Sequence, residues 1–273
     1  MYIIQMHNST ESQMMGYFLI TDNKKVIAVD GGTRGDSEEF LRLIHEYGRN
    51  HINLWILTHP HSDHVGVFWD VLEKKRKIEV DMICYSPAGK GFVAKEKEAR
   101  TDLEYFNQSI RNCMYPLHII RTGERFKLDN LTIEILRTAN PEIKCDWVNN
   151  LSVVFRVTEQ LRNEIFLGDL GEEGGEELLR MYGKKEGLYG LKADAVQMAH
   201  HGQDGVKNEV YWAIHPKWAF WPTPDWLWSN TPRGEAQGTG PWKTLQVRAE
   251  MEKMGTHFIN SFEKNTIFKT KEI

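Results

Sequence analysis

Four side chains with metal-ligand chemistry fall within six residues, His59, His61, Asp63 and His64, in the run Leu54-Trp-Ile-Leu-Thr-His-Pro-His-Ser-Asp-His-Val-Gly66. Imidazole and carboxylate are borderline-to-hard donors suited to zinc, manganese or iron. Four such groups so close together converge only around something that neutralises and orders them, and a pair of divalent ions is the natural candidate. Two more places carry matching chemistry, Gly168-Asp169 and His200-His201-Gly202. Taken alone, Asp169 reads as a turn or helix-cap aspartate ahead of Glu172, and the two histidines as ordinary ones. Their order after the first cluster is what makes them one set.

Each set of donors comes directly after an apolar run of strand length. Leu54–Leu57 precedes the first cluster, Ile165–Leu167 precedes Asp169, and Ala193–Ala199 precedes the histidine pair. Pro60 breaks the first strand, which puts the cluster on the loop beyond it. Open α/β sheets place sites outside the carboxyl ends of their strands. Three strands running side by side bring these ends together, with Asp169 bridging two ions and His201 or His200 completing the second.

The remaining chain reads as alternating short elements. Strands are expected at 2–6, 17–20, 26–29, 80–85, 117–120, 126–136, 151–157, 218–221, 257–261 and 266–270. Helices are expected from Asp36 or Ser37 to Gly48, over 67–75, 90–112, 172–181 and 206–213, and over 243–254 before Gly255. The Pro-, Gly- and Trp-rich stretch 222–242 reads as an ordered irregular loop. No linker or repeat divides the 273 residues, so residues 1–273 are expected to form a single α/β (α+β) domain.

Composition narrows the function classes. With 41% hydrophobic and 26% charged residues the chain is of ordinary globular type. A net charge of −4 gives no basic footprint for nucleic acid or a membrane surface. Metals can still supply positive charge locally to a small phosphodiester. Cys84, Cys113 and Cys145 are odd in number and widely spaced, with neither a disulfide framework nor a thiolate zinc pattern. The start lacks a basic stretch followed by an apolar one, so a cytoplasmic protein is expected.

The order Thr58-His-Pro-His-Ser-Asp-His-Val-Gly66, Gly168-Asp169, His200-His-Gly202 resembles the metallo-β-lactamase-fold hydrolase superfamily, and Val26–Gly32 and Asn149-Asn-Leu-Ser-Val-Val-Phe155 also fit. The Asn-Asn-x-Ser and His-His-Gly features look most like the hydrolase domain of bacterial DNA-uptake (competence) proteins and the phosphorylcholine esterase branch. The resemblance implies a four-layer αββα sandwich. Residue by residue, it implies His59 and His61 on the first metal, Asp63 and His64 on the second with His201 or His200, and Asp169 between them. Zinc is the expected metal, with manganese or iron as alternatives. In one respect the chain departs from the pattern: many members supply another histidine to the first metal just before the 151–157 segment. Here Asp146-Trp-Val-Asn-Asn150 stands instead. Asn149 or Asn150 coordinates weakly, holds a water or contacts substrate.

Such a site implies hydrolysis by a bridging hydroxide formed between two ions, with Asp63 orienting it. Asp30 is an expected partner for a ligand histidine's second nitrogen. Six tryptophans crowd residues 212–242, and Trp226 and Trp228 are the expected substrate contacts. His7 and Asn8 are candidates for the metal rim. A phosphodiester, nucleic-acid or small, is the expected substrate. The alternatives are a lactonase or thioesterase, and, from another class, a metal-bearing binding or regulatory module with little turnover.

Overall fold

The computed structural model describes residues 1–89, 99–185 and 190–270. The chain begins as an antiparallel meander of β1 (Tyr2–Gln5), β2 (Gly16–Ile20) and β3 (Val26–Asp30). A short strand, β4 (His51–Ile52), pairs with β6 (Glu79–Val80). Between them β5 (Leu54–Leu57) joins β3 in parallel, and β7 (Ile83–Tyr85) and β8 (Leu117–Ile119) extend that sheet. The second sheet runs antiparallel through β9 (Arg125–Leu128), β10 (Leu131–Arg137), β11 (Val154–Glu159) and β12 (Arg162–Phe166). It continues in parallel through β13 (Ala195–Gln197), β14 (Trp218–Phe220) and β15 (His257–Ile259). Finally β16 (Thr266–Lys269) returns to the first sheet beside β1, so each sheet has seven strands.

Strand alternation sorts the apolar residues into layers. Ile3, Tyr17, Val29, Ile56, Phe155 and Phe166 fill the space between the sheets. The Phe155 and Phe166 rings stack there at 4.9 Å. On the outer face of the first sheet, Phe18, Trp55 and Leu57 pack under α1 (Ser37–Gly48), α2 (Ser62–Glu73) and α3 (Arg100–Arg111). On the outer face of the second, Ile165, Val196 and Ala219 pack under α4 (Glu172–Tyr182), α5 (Asn208–Ile214) and α7 (Thr244–Lys253). The order of layers is α, β, β, α, as the sequence implies. Among the described residues no helix is long and apolar enough to cross a membrane.

Three expectations need correction. The donor-bearing strands do not all lie side by side: β12 and β13 are parallel neighbours in the second sheet, whereas β5 belongs to the first. Their ends meet across one edge of the sandwich instead. Secondly, α2 begins at Ser62 rather than Val67, so Asp63 and His64 sit in its first turn and not on a loop. Pro60 and extended His61 end the preceding segment, and Asp63 then lies where the helix dipole favours a carboxylate. The Ser62 N–H is met by Asp102 Oδ2 of α3 at 2.9 Å. Thirdly, Trp226 and Trp228 are carried by a helical turn, α6 (Asp225–Trp228), inside the stretch read as irregular. Part of the expected 90–112 helix falls outside the described residues; the remainder is α3.

Candidate metal centre

The donors come together at the C-terminal ends of β5, β12 and β13. His59, His61 and Asp169 form one group with ligand atoms within 4.8 Å of one another, and Asp63, His64 and His201 form a second. Asp169 touches both: its Oδ1 is 3.1 Å from His64 Nε2, and its Oδ2 is 3.4 Å from His201 Nε2 and 3.8 Å from His59 Nε2. Asp63 Oδ2 lies 3.2 Å from His201 Nε2. His59 Nε2 and His61 Nδ1 are 3.0 Å apart.

Outer partners fix which ring nitrogens carry lone pairs toward the centre. Asp30 Oδ2 lies 2.7 Å from His64 Nδ1, and the Pro222 carbonyl lies 2.7 Å from His201 Nδ1. Both are acceptors, so each Nδ1 holds the hydrogen and each Nε2 is left bare. His59 Nδ1 similarly meets Thr58 Oγ1 at 3.1 Å. Asp30 takes the Thr58 N–H at 2.7 Å and its hydroxyl at 2.6 Å, as the expected second-nitrogen partner. Its own backbone sits at a φ of 50°, where its carbonyl accepts the Trp55 indole N–H.

This donor set fits divalent cations. Asp169 is 1% exposed, yet neither carboxylate oxygen receives a hydrogen bond. A naked buried carboxylate is strongly disfavoured unless a cation meets it. Without metal, protons take the cation's place: the neighbouring carboxylates hold His64 well above the ordinary imidazole range against burial, and raise His201 to about 9. Burial pushes Asp63 and Asp169 up, but the facing histidines outweigh it and hold both carboxyls low. Burial lowers His59 and His61, leaving them as neutral donors.

Backbone strain positions the third contribution. His200 and His201 both adopt left-handed φ, 49° and 54°, at about 1–2 kcal/mol each. Gly202 comes next at a φ of 76°, and a Cβ there would strike the Trp221 ring. His201 is turned inward by this arrangement. His200, 20% exposed and 3.9 Å from Asp169, stands outside both donor groups.

The other sequence-derived candidates divide. The Asn150 amide is committed within the protein: it donates to the Cys145 carbonyl at 3.2 Å and accepts the Gly174 N–H at 2.9 Å. Asn149 donates through Nδ2 to Asp146 Oδ1 at 2.9 Å, and its Oδ1 is buried with no partner. Trp228 is a packing residue, edge-on to Trp221 and Phe258 with Arg248 over its ring. Trp226 lines a cavity of about 170 Å³ with Met6, Asn8, Glu11, Thr223 and Phe262. Its indole donates to the Glu11 carbonyl at 3.0 Å. That cavity shares a wall with the metal centre, because Thr223 donates its hydroxyl to the His201 carbonyl. His7 is drawn away, to Ser261 and Asn265.

Two positioning residues escaped sequence reasoning. Gln197 accepts the N–H groups of Leu167 (2.8 Å) and Gly168 (2.7 Å) and donates to the Gly168 and Met198 carbonyls. It thereby fixes the turn that bears Asp169. A lone glutamine closing the apolar strand Ala195-Val-Gln197 was the available signal. Gln203 donates to Gln13 Oε1 at 2.9 Å, tying the β1–β2 loop to the histidine loop.

Comparison with known proteins agrees with this architecture. A family model described as the metallo-beta-lactamase superfamily matches residues 17–113, which include His59, His61, Asp63 and His64. The metallo-beta-lactamase fold protein YhfI from Bacillus subtilis superposes with a TM-score of 0.59 at 12% identity, covering 98% of this chain and 100% of that one. The fold is that of the metallo-β-lactamase superfamily. Other solved structures similar to this chain differ in what they are. Unliganded yeast PDE1 matches at a TM-score of 0.55 and 12% identity, over 98% of this chain and 99% of that one. CmlA, a diiron beta-hydroxylase from Streptomyces venezuelae, matches at 0.59 and 10%, over 98% of this chain and 54% of that one. No curated protein sequence matches. At these identities the likeness concerns the fold alone.

Proposed function

We propose that the protein is a metal-dependent hydrolase that cleaves a small phosphodiester at a two-ion site. The observation that carries the reading is Asp169, a buried carboxylate without a hydrogen-bond donor, set between two groups of neutral and anionic donors. Bound ions would supply an acidified water and positive charge opposite the oxygen that develops charge in the transition state. Asp63, 16% exposed on its side chain, reaches the open edge of the centre and would orient that water as a hydrogen-bond acceptor. His64 and His201 are locked by Asp30 and Pro222, so their Nε2 atoms need no reorganisation during the reaction.

For the substrate, the phosphodiester class rests on the Asn149-Asn150-x-Ser152 and His200-His201-Gly202 features and on what they resemble. The cavity beside Trp226 supports a compact ester over a polymer: no Lys or Arg lines it, and the chain's net charge is −4. Zinc is the ion proposed for the second position, where two imidazoles and two carboxylates make up a four-donor set. Three free cysteines support a cytoplasmic setting.

The test is turnover by protein loaded with zinc or manganese, offered a bis-aryl phosphodiester, a lactone and a thioester. Cleavage of the diester alone supports the proposal. Cleavage of lactone or thioester alone moves the assignment to a C–O or C–S hydrolase, and turnover of none by fully loaded protein leaves a metal-bearing binding module. Asp63→Asn should lower diester turnover by at least about 10²-fold with the fold intact.

A further inference from the structure

The two donor groups are unequal. Asp63, His64 and His201 with Asp169 offer four protein donors to one position, whereas His59 and His61 with Asp169 offer three to the other. The turn at 146–152, beside His59 and Asp169, holds a buried polar atom with no hydrogen-bond partner. Asn149 is 7% exposed, and its Oδ1 has no partner. The amide's orientation is set by Asp146, whose Oδ1 accepts from Nδ2 at 2.9 Å. A carboxylate can only accept there, so Oδ1 is the end turned away from Asp146 and left bare.

The turn that carries this amide is stitched to the centre from both sides. The Asn149 carbonyl accepts the Ser152 N–H at 3.0 Å, and Ser152 Oγ accepts the Asp169 N–H at 2.9 Å. One residue on, the Val153 N–H donates to the Thr58 carbonyl at 3.0 Å, immediately before His59. Asp146 is exposed as a residue. Asn149 is thus fixed between the elements that present His59 and Asp169.

We infer that Asn149 Oδ1 is the further protein donor to the first metal position, with Asp146 as the outer partner that orients and polarises the amide. This rests on the two-ion reading above. The arrangement is an amide counterpart of the carboxylate–histidine–zinc pattern, in which an outer carboxylate raises ligand basicity. An amide oxygen is a harder donor than imidazole and favours manganese or magnesium over zinc. Both positions then have two imidazoles and two oxygens, but the first has a neutral amide where the second has the Asp63 carboxylate, so it holds its ion more weakly.

The test is metal binding, read independently of turnover. Metal-free protein is titrated with Mn²⁺ and with Zn²⁺ by calorimetry, and ions retained after dialysis are counted by elemental analysis. Wild type is expected to bind two Mn²⁺ with separable affinities. Asn149→Leu is expected to weaken one of them about 10–100-fold and leave the other unchanged, while Asn149→His shifts the first position toward Zn²⁺. Asp146→Asn, which keeps an acceptor for Nδ2 but removes the charge, should weaken the same position several-fold. Asn149→Leu with two ions at wild-type affinity overturns the assignment. If that variant does not fold, Asp146→Asn and Asn149→His decide, and wild-type affinities with unchanged ion preference in both overturn it. Wild-type protein that takes up no ion overturns the two-ion reading itself, and this assignment with it.

Discussion

The Nε2 atoms of His64 and His201 face each other at 3.3 Å, although each ring has already committed its hydrogen to the opposite side, to Asp30 and to Pro222. Two lone pairs at that distance repel. With Asp63 and Asp169 beside them the four groups form a shell that only a cation reconciles. Removing metal should therefore cost stability as well as activity. An ion present at 1,000 times its Kd contributes about 4 kcal/mol, or roughly 10 °C in melting temperature for a chain of this size. Melting with and without a chelator checks this; equal melting temperatures, with metal loss verified by elemental analysis, would contradict it.

In the metal-free protein, protons replace the ions, and this gives the pH dependence a sign. His64 and His201 have folded-state pKa values raised above the ordinary 6.5, His201 to about 9. Stability from a raised group is complete below its unfolded pKa and disappears as pH rises through the folded one. His59 and His61 are lowered, so they stay neutral in both states well above pH 6.5 and contribute no slope there. Metal-free protein should lose stability as pH rises from about 6.5 to about 9, while metal-loaded protein stays nearly flat. Melting series on both forms across that window would expose the difference, and parallel curves would refute it.

Asp30 supports the centre without belonging to either donor group. Its carboxylate takes three donors, the Thr58 N–H, the Thr58 hydroxyl and His64 Nδ1, all between 2.6 and 2.7 Å. Asp30→Asn replaces one acceptor oxygen by an NH₂ that must face a donor. His64 then loses its fixed tautomer. Affinity at the second metal position should fall about 10–100-fold, with a smaller effect at the first, as measured by calorimetry with Zn²⁺. An equal loss at both positions would mean that Asp30 acts through the fold at large.

How much of the centre is legible in the sequence depends on how local each signal is. An apolar run ending at once in His59, His61, Asp63 and His64 is a local pattern, so donors and strand ends are visible together. Which sheet a strand joins is decided by distant partners: β5 by β3 and β7, β12 by β11 and β13. The expectation of three neighbouring strands failed at β5 for that reason. Asn149 and Asn150 look alike in sequence, and only tertiary bonds separate them, one amide satisfied by Cys145 and Gly174 and the other left with a bare oxygen. His201 and His200 cannot be told apart either, because the choice rests on two consecutive left-handed residues. Propensity gives no warning of those.

That left-handed pair depends on the glycine after it. Gly202 continues at a φ of 76°, and any Cβ would meet the ring of Trp221. The indole cannot retreat, because it is fully buried and held edge-on by Trp228 at 5.1 Å and Phe258 at 5.6 Å. Gly202→Ala therefore combines an unfavourable backbone conformation with overpacking, together about 2–5 kcal/mol. Relief of the clash requires the 199–202 turn to shift, which carries His201 away from Asp63 and His64. The variant should melt lower and lose the second ion preferentially, while His59 and His61 keep theirs. Melting with elemental analysis after dialysis reads both effects. A Gly202→Ala protein that retains two ions and wild-type stability would show that the turn has room this packing denies it.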